Sequence, residues 1–273
     1  MKKIFYLWML LAGNVAMAQA QLVKVVQHYK ISKEGAAFYP TFNESGDNLL
    51  YTSENYKGLY LYDLSNKKSD KITDVDGAGF NPVFSKDSRK VYYRQTERVN
   101  MRQLSTLICF DQQNKKNVRC SDTPLRSSSE LNKVRNQVDR LAHDEITAYT
   151  DMLSLVLERN GVQEVLNPLS DGGRYLWGSL SPDKTKILFT AVGRGTYVCN
   201  LKGKIIAEIG LLNAPVWYGN DKIVGMIDKD NGDYIISSSI VMVSADGKKR
   251  QVLVPSTQKA MYPAANRQSG KIA

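Results

Sequence analysis

Histidine is nearly absent from this chain, with only His28 and His143 among 273 residues. The side chain most often used as a general base near neutral pH is therefore available at two places. His28 falls in a Val-rich stretch and His143 in a turn of a degenerate repeat, and both read as structural or solvated. No G-x-S-x-G nucleophile elbow, H-E-x-x-H pair, paired-cysteine metal motif or phosphate-cradling glycine loop occurs. Three cysteines are too few for a disulfide-dense scaffold. No apolar run is long enough to span a bilayer stably, and helical periodicity is missing. These absences remove the common catalytic signatures, and no cofactor, metal ion or catalytic residue is expected.

The N-terminus has its own character. Met1-Lys2-Lys3 is a basic start, Ile4 to Ala12 is almost wholly apolar, and Ala16-Met17-Ala18 is a small-x-small pattern. Residues 1–18 read as a signal peptide cleaved after Ala18, with Ala20 as second choice. The mature protein, 19–273, is expected to be exported, periplasmic or extracellular, without a transmembrane anchor. The formal net charge is +10. From Lys86 to Arg140 there are 13 Lys or Arg against 6 Asp or Glu. That excess favours an anionic partner, outside the cytoplasm an acidic glycan, lipid headgroup or acidic protein face rather than nucleic acid. A merely solubilising surface is the plainer reading.

What the chain has in quantity is self-similarity. FYPTFNESGDNLLY from Phe38 returns as FNPVFSKDSRKVYY from Phe80, setting Pro40 on Pro82 and Phe42 on Phe84. Tyr62-Asp63 meets Phe110-Asp111, and Asn66-Lys67-Lys68 meets Asn114-Lys115-Lys116. Further copies begin near Asn136, at LWGSLSPDKTKILFT, at APVWYGNDKIVGMI and at MYPAANRQSGKIA. Their anchor positions are 40, 82, 137, 178, 215 and 263. A period near 42 residues marks an array of one copied supersecondary unit.

In the first repeat, strands are expected at Phe38–Phe42, Asn48–Thr52, Leu59–Asp63 and around Asp70–Ile72. The second repeat carries a longer connection, Arg94 to Gln103, between its second and third strands. Six four-stranded antiparallel units, beginning near 38, 80, 135, 176, 213 and 261, predict an all-β, six-bladed propeller. The isolated strand Leu22–Ser32 is expected to close the ring as the outer strand of blade six. Ala273 falls inside the second strand of that blade, which leaves the last blade incomplete.

The segments Phe80-Asn81-Pro82-Val83-Phe84-Ser85, Leu180-Ser181-Pro182-Asp183 with Ile187-Leu188-Phe189, and Leu61-Tyr62-Asp63-Leu64 with Ile72-Thr73 resemble the repeats of the TolB-like β-propeller family. The resemblance covers most of residues 22–273. It implies an exported envelope protein acting as a binding platform, since the family's namesake works in the periplasm through protein–protein contacts, with a peptidoglycan-associated lipoprotein among its partners. Related propellers precede peptidase domains or form the body of some polysaccharide lyases. The motifs themselves are structural, so fold does not settle activity.

Several residues invite a sharper reading. If Asn114-Lys115 is a two-residue hairpin turn, Gln113 faces Lys116 and Cys109 faces Cys120, within reach of a disulfide. The alternative, equally open, is that both are small buried hydrophobes in the places of Leu61 and Ile72. Cys199 reads as buried. Asp228-Lys229-Asp230-Asn231-Gly232-Asp233 has calcium-like alternation but lacks the Gly and Glu of a helical calcium loop, and reads as an Asn-Gly turn. In a propeller, the second-to-third-strand loops and blade-to-blade connections share one face at the channel mouth. That face would collect Tyr56, Arg94, Arg98, Arg102, Arg126, Arg174 and Arg194, and arginine's planar fork suits carboxylate or phosphate.

The first functional expectation is a non-enzymatic, monomeric propeller of the bacterial cell envelope that binds a protein or anionic component through this face. The alternative is a lyase-like carbohydrate-active enzyme on an acidic glycan, with a His, Tyr or Lys base beside arginines that neutralise the uronate.

Overall fold

The computed structural model describes residues 21–31, 37–120 and 146–273. The expected signal peptide, Arg126, His143 and the opening of the third repeat around Gln137 lie outside these residues. The first sheet runs β1 (Phe38–Phe42), β2 (Asn48–Thr52), β3 (Leu59–Asp63) and β4 (Lys68–Thr73), each antiparallel to the next. The second repeats that order with β5 (Val83–Phe84), β6 (Lys90–Val99), β7 (Arg102–Asp111) and β8 (Lys116–Arg119). The third has three described strands, β9 (Ile146–Asp151), β10 (Ser154–Arg159) and β11 (Val162–Leu166). The fourth comprises β12 (Tyr175–Leu180), β13 (Lys186–Ala191), β14 (Gly195–Asn200) and β15 (Ile205–Gly210). The fifth comprises β16 (Asn213–Trp217), β17 (Lys222–Asp230), β18 (Ile235–Ser244) and β19 (Arg250–Val254). A hairpin of β20 (Ala265–Asn266) and β21 (Lys271–Ile272) follows.

The result is an all-β propeller with four-stranded antiparallel blades. Five sheets form blades among the described residues, and the two-stranded hairpin follows them.

Apolar clusters sit between sheets. Leu50, Leu61 and Ile72 of the first pack with Phe84, Val91 and Ile108 of the second. Leu155 and Leu157 meet Ile187 and Phe189 across the third and fourth. Leu188 and Val198 meet Trp217, Ile223 and Val241 across the fourth and fifth. Each fully buried Leu or Ile contributes roughly 2 kcal/mol. The fifth sheet's Val224, Met226 and Met242 pack on the hairpin's Ala265 and Ile272. The hairpin also touches the first sheet, where the Asn266 side-chain amide donates to the carbonyls of Asn43 (3.0 Å) and Glu44 (2.9 Å).

The turns explain why the repeated polar residues recur. Asp63 Oδ1 accepts the backbone N–H groups of Ser65 and Asn66, and Asp111 Oδ1 those of Gln113 and Asn114. Such self-capping by aspartate builds a turn without other help. In the first turns of the second and fourth repeats, Ser85 and Ser181 donate to Asp87 and Asp183, each at 2.6 Å.

Three expectations are corrected. Residues 21–31 form no strand. The β20–β21 hairpin has no described third strand beside which they could form an outer strand, and Leu22 and Val23 instead donate their N–H groups to the Gln251 side chain. The Arg94–Gln103 connection is not a loop but the ends of two ten-residue strands. Asn100 and Met101, at φ 48° and 63°, turn them in the left-handed geometry that two-residue hairpins favour. Finally, Asp111 faces Lys116 across a four-residue turn, so Cys109 opposes Val118 and not Cys120.

Candidate functional site

The site begins with the inner strands. Tyr39, Asn81, Trp177, Ala214 and Tyr262 all have φ between 45° and 54°. Each stands immediately before an anchor position of the repeat: Pro40, Pro82, Gly178, Pro215 and Pro263. The pairing register slips at this point in the first, fourth and fifth sheets. Proline supplies no N–H, so it is suited to an edge strand or a bulge, and the inner strand offers both. Left-handed backbone at a non-glycine residue costs about 1–3 kcal/mol, repeated here around one axis. These residues and their neighbours line a central void of about 170 Å³. That is room for several waters, and less than the ~300 Å³ at which small-molecule pockets usually begin.

At the rim, on the side where the second-to-third-strand turns emerge, the aromatic residues form a continuous row. Tyr262 lies 4.7 Å from Tyr39, and Tyr39 stacks on Tyr56 at 4.6 Å. Tyr56 meets Phe80 edge-on at 5.3 Å, and the Arg94 guanidinium lies 3.9 Å over the Phe80 ring. Local bonds fix the row. The Gly79 N–H donates to the Tyr56 carbonyl and the Thr96 N–H to that of Asp76, tying the base of the β6–β7 arm to the blade connection. Burial raises the pKa of the Tyr39 hydroxyl, helped by hydrogen bonding to Tyr56 and by the nearness of Tyr262. Burial lowers that of the Arg94 guanidinium, opposed by Tyr56. Arg94 Nε is buried without a hydrogen-bond partner.

The residues expected to share a face divide into groups. Tyr56 and Arg94 join the aromatic row. Arg98 and Arg102 stand exposed near the tip of the β6–β7 arm, where Arg102 pairs with Val99 and Met101 is fully exposed. Arg194 makes an ion pair with Asp171 at 2.6 Å and so is already engaged. Arg174 is exposed beside it, its carbonyl accepting the Val192 N–H. Sequence reasoning missed Tyr39, Phe80 and Tyr262, although each stands beside an anchor of the repeat. Their aromatic type was visible, but both structural roles and rim roles use aromatic residues.

Elsewhere, Cys109 on β7 and Cys120, just past the end of β8, are free thiols, each influencing the other's ionisation. Burial and the neighbouring Cys109 push the Cys120 thiol up to about 11. Cys199 is wholly buried, and burial pushes its thiol up to about 12. Asp228 accepts from the Asn213 amide, while Asp230 and Asn231 cap the backbone of the 231–234 turn. Among the described residues, no group of three or more His, Cys, Asp or Glu converges on a metal position. No helix among them is long and apolar enough to cross a membrane.

This architecture has solved counterparts. The structure of a putative TolB from Agrobacterium tumefaciens matches with a TM-score of 0.54 at 17% identity, over 87% of this chain and 88% of that one. TolB from Acinetobacter baumannii gives 0.50 at 18%, over 83% of this chain. The present chain spans 56% of that protein's length. A prolyl endopeptidase structure gives 0.51 at 10%, over 81% of this chain and 42% of that one. The chain thus has a TolB-like β-propeller fold. At these identities the likeness is one of fold. No known family profile matches the sequence, and no curated protein matches it.

Proposed function

We propose that this protein is an exported, non-enzymatic binding propeller of the bacterial cell envelope, a monomer that engages a protein or anionic envelope component through its basic loop face. The observation that supports this reading most is the β6–β7 arm. It rises from the channel rim with Arg94 at its base and exposed Arg98 and Arg102 near its tip. Aromatic and arginine side chains are the usual anchors of protein interfaces. In this reading Arg126 and Arg174 add charge to the same face, Arg194 is held back by Asp171, and residues 1–18 direct export. The hairpin of β20 and β21 stands for a sixth blade. An oxidising compartment would also permit a bond between Cys109 and Cys120.

The test is affinity capture from a membrane-and-periplasm extract by the mature protein and by an Arg94/Arg98/Arg102→Ala variant. Loss of a captured protein or lipid-linked partner by the variant is the expected result. Equal capture by both forms would remove this face from the proposal. Retention of acidic oligosaccharide alone, released in shortened form, would replace binding with lyase chemistry.

A further inference from the structure

The two faces of the ring carry charge very differently. Turns between first and second strands and between third and fourth strands share one face, and the other turns and blade connections share the opposite one. With the strand ends that flank them, the described turns of the first face hold 18 Lys or Arg against 8 Asp or Glu, an excess equal to the chain's formal net charge of +10. The opposite face, both long arms included, holds 9 against 9 among the described residues. Of the 18 cations, 14 are lysines. An exposed lysine pair stands at the third-to-fourth-strand turn of the first, second, fourth and fifth sheets, as at Lys115-Lys116 and Lys248-Lys249. The acids there bend back onto their own turns, since Asp111 and Asp246 each accept a backbone N–H. Ion pairs such as Lys248–Asp246, at 3.8 Å, are exposed and therefore weak. None of the described turns on this face exceeds five residues, so its charge is spread over a flat surface.

An apolar segment borders the same face. Leu22 and Val23 are tied to Gln251, beside the lysine turn of the fifth sheet, and the Tyr29 ring lies 5.8 Å from the Lys67 ammonium at that of the first. Between these moorings Val25 and Val26 are 54% and 86% exposed, flanked by exposed Lys24 and Lys30. Basic charge beside exposed apolar residues and a tyrosine is what a lipid interface selects. A soluble polyanion is met better by forked arginines in a cleft, and it leaves Val25 and Val26 in water. We propose that the lysine face lies on an anionic phospholipid bilayer, with its ammonium groups among the headgroup phosphates and Val25, Val26 and Tyr29 at the interface. This contact goes beyond the binding platform proposed above, which uses the opposite face, and it leaves the β6–β7 arm pointing away from the bilayer.

The test is co-sedimentation of the mature chain with phosphatidylcholine vesicles, pure or mixed with phosphatidylglycerol, at low and at high salt. Binding is expected to need phosphatidylglycerol and to fall about tenfold or more at high salt, as a screened attraction does. Lys202→Gln/Lys204→Gln/Lys248→Gln/Lys249→Gln removes four exposed ammonium groups and should weaken binding about tenfold or more, while Arg98→Gln/Arg102→Gln should change it less than about twofold. Val26→Trp reports the apolar edge. Its added emission should shift to the blue on the mixed vesicles and stay unshifted with oligogalacturonate, a soluble acidic glycan. Equal binding to both vesicles, full binding by the lysine variant, or loss of binding on changing the arm arginines would each overturn the membrane face. Binding to oligogalacturonate as tight as to vesicles, without a blue shift, would overturn it in favour of a glycan. Extract capture that depends on Arg94, Arg98 and Arg102 without vesicle binding would overturn this contact alone and leave the platform standing. Vesicle binding with capture unaltered in the arginine variant would do the reverse.

Discussion

Two seams of the ring show different ways of joining neighbouring blades. Between the fourth and fifth sheets, Leu188, Val198, Trp217, Ile223, Val241 and Val243 form a dry cluster. The Trp217 indole N–H adds a bond to the Ser179 carbonyl. Between the C-terminal hairpin of β20 and β21 and the first sheet, contact rests on directional polar groups. Asn266 donates to Asn43 and Glu44, the Lys271 ammonium to Gly46, and Tyr262 packs on Tyr39. Both seams include an asparagine contact at the first turn, because Asn220 Oδ1 accepts the Asp183 N–H just as Asn266 meets Asn43. Only one adds an extensive apolar core. The difference teaches that this ring is held by burial on one side and by individual bonds on the other. The aromatic row at the rim straddles the weaker side.

The sharpest way to break the comparison is at a second packed seam, that of the third and fourth sheets. Phe189 is fully buried between Tyr175 and Tyr197, with ring centroids 5.3 and 5.7 Å away. Phe189→Ala should cost about 3–5 kcal/mol in denaturant unfolding, through lost transfer energy and a cavity. A loss under ~1 kcal/mol would mean that the core described there does not support the ring. Next in size is Thr196, wholly buried, whose hydroxyl donates to the Leu212 carbonyl at 2.6 Å and bonds Thr190 at 2.8 Å. Thr196→Val keeps the shape but leaves the Leu212 carbonyl only the longer, 3.4 Å bond from the Thr190 hydroxyl, and should cost about 1–2 kcal/mol.

The asparagines then separate the seams. Asn266→Ala removes two bonds from a seam with little apolar reserve, and should cost about 1 kcal/mol. Amide exchange at Gly46 and Asn48 should speed up, while exchange at Ile187 to Phe189 stays unchanged. Asn220→Ala, at the packed seam, should be nearly silent in the same measurement. Equal effects from the two variants would erase the distinction.

Much of this was legible before any coordinates. Pro40, Pro82, Pro215 and Pro263 marked the inner strands because proline tolerates few sheet positions. The Asp63–Asn66 and Asp111–Asn114 turns were visible as copied text. Turn length was not, and that is why Cys109 stands opposite Val118 in the ladder: an aspartate-capped turn of four residues and a two-residue turn read alike. The β6–β7 arm was hidden for a similar reason, since its polar, arginine-rich sequence looks like a loop until both edges pair. The closing strand failed because β-propensity in Leu22–Ser32 cannot say whether a free ladder edge is waiting for it. The aromatic row was half visible. Tyr56 and Arg94 were named from topology, but the stack linking them through Phe80 to Tyr39 depends on left-handed backbone that no local pattern signals.

The smallest expected effect concerns acid. Hydrogen bonding from Asn43 holds the Asp47 carboxyl below its ordinary pKa, and the Ser181 hydroxyl does the same for Asp183. A carboxylate depressed in the folded state binds fewer protons folded than unfolded. Its contribution is therefore complete above the ordinary carboxylate range and is lost as pH falls through the folded value. Both turns should weaken on acidification, but their surroundings differ. The Asp47 turn adjoins the polar seam, where the Asn43 carbonyl also receives Asn266; the Asp183 turn is backed by the apolar cluster of the fourth and fifth sheets. Amide exchange followed downward from pH 5 should accelerate first around Asn43 to Asn48, and only later around Ser181 to Lys186. Asp47→Asn should remove most of the pH dependence at the first turn. Simultaneous loosening of both turns would show that the aspartate cap itself, and not the packing behind it, sets acid sensitivity.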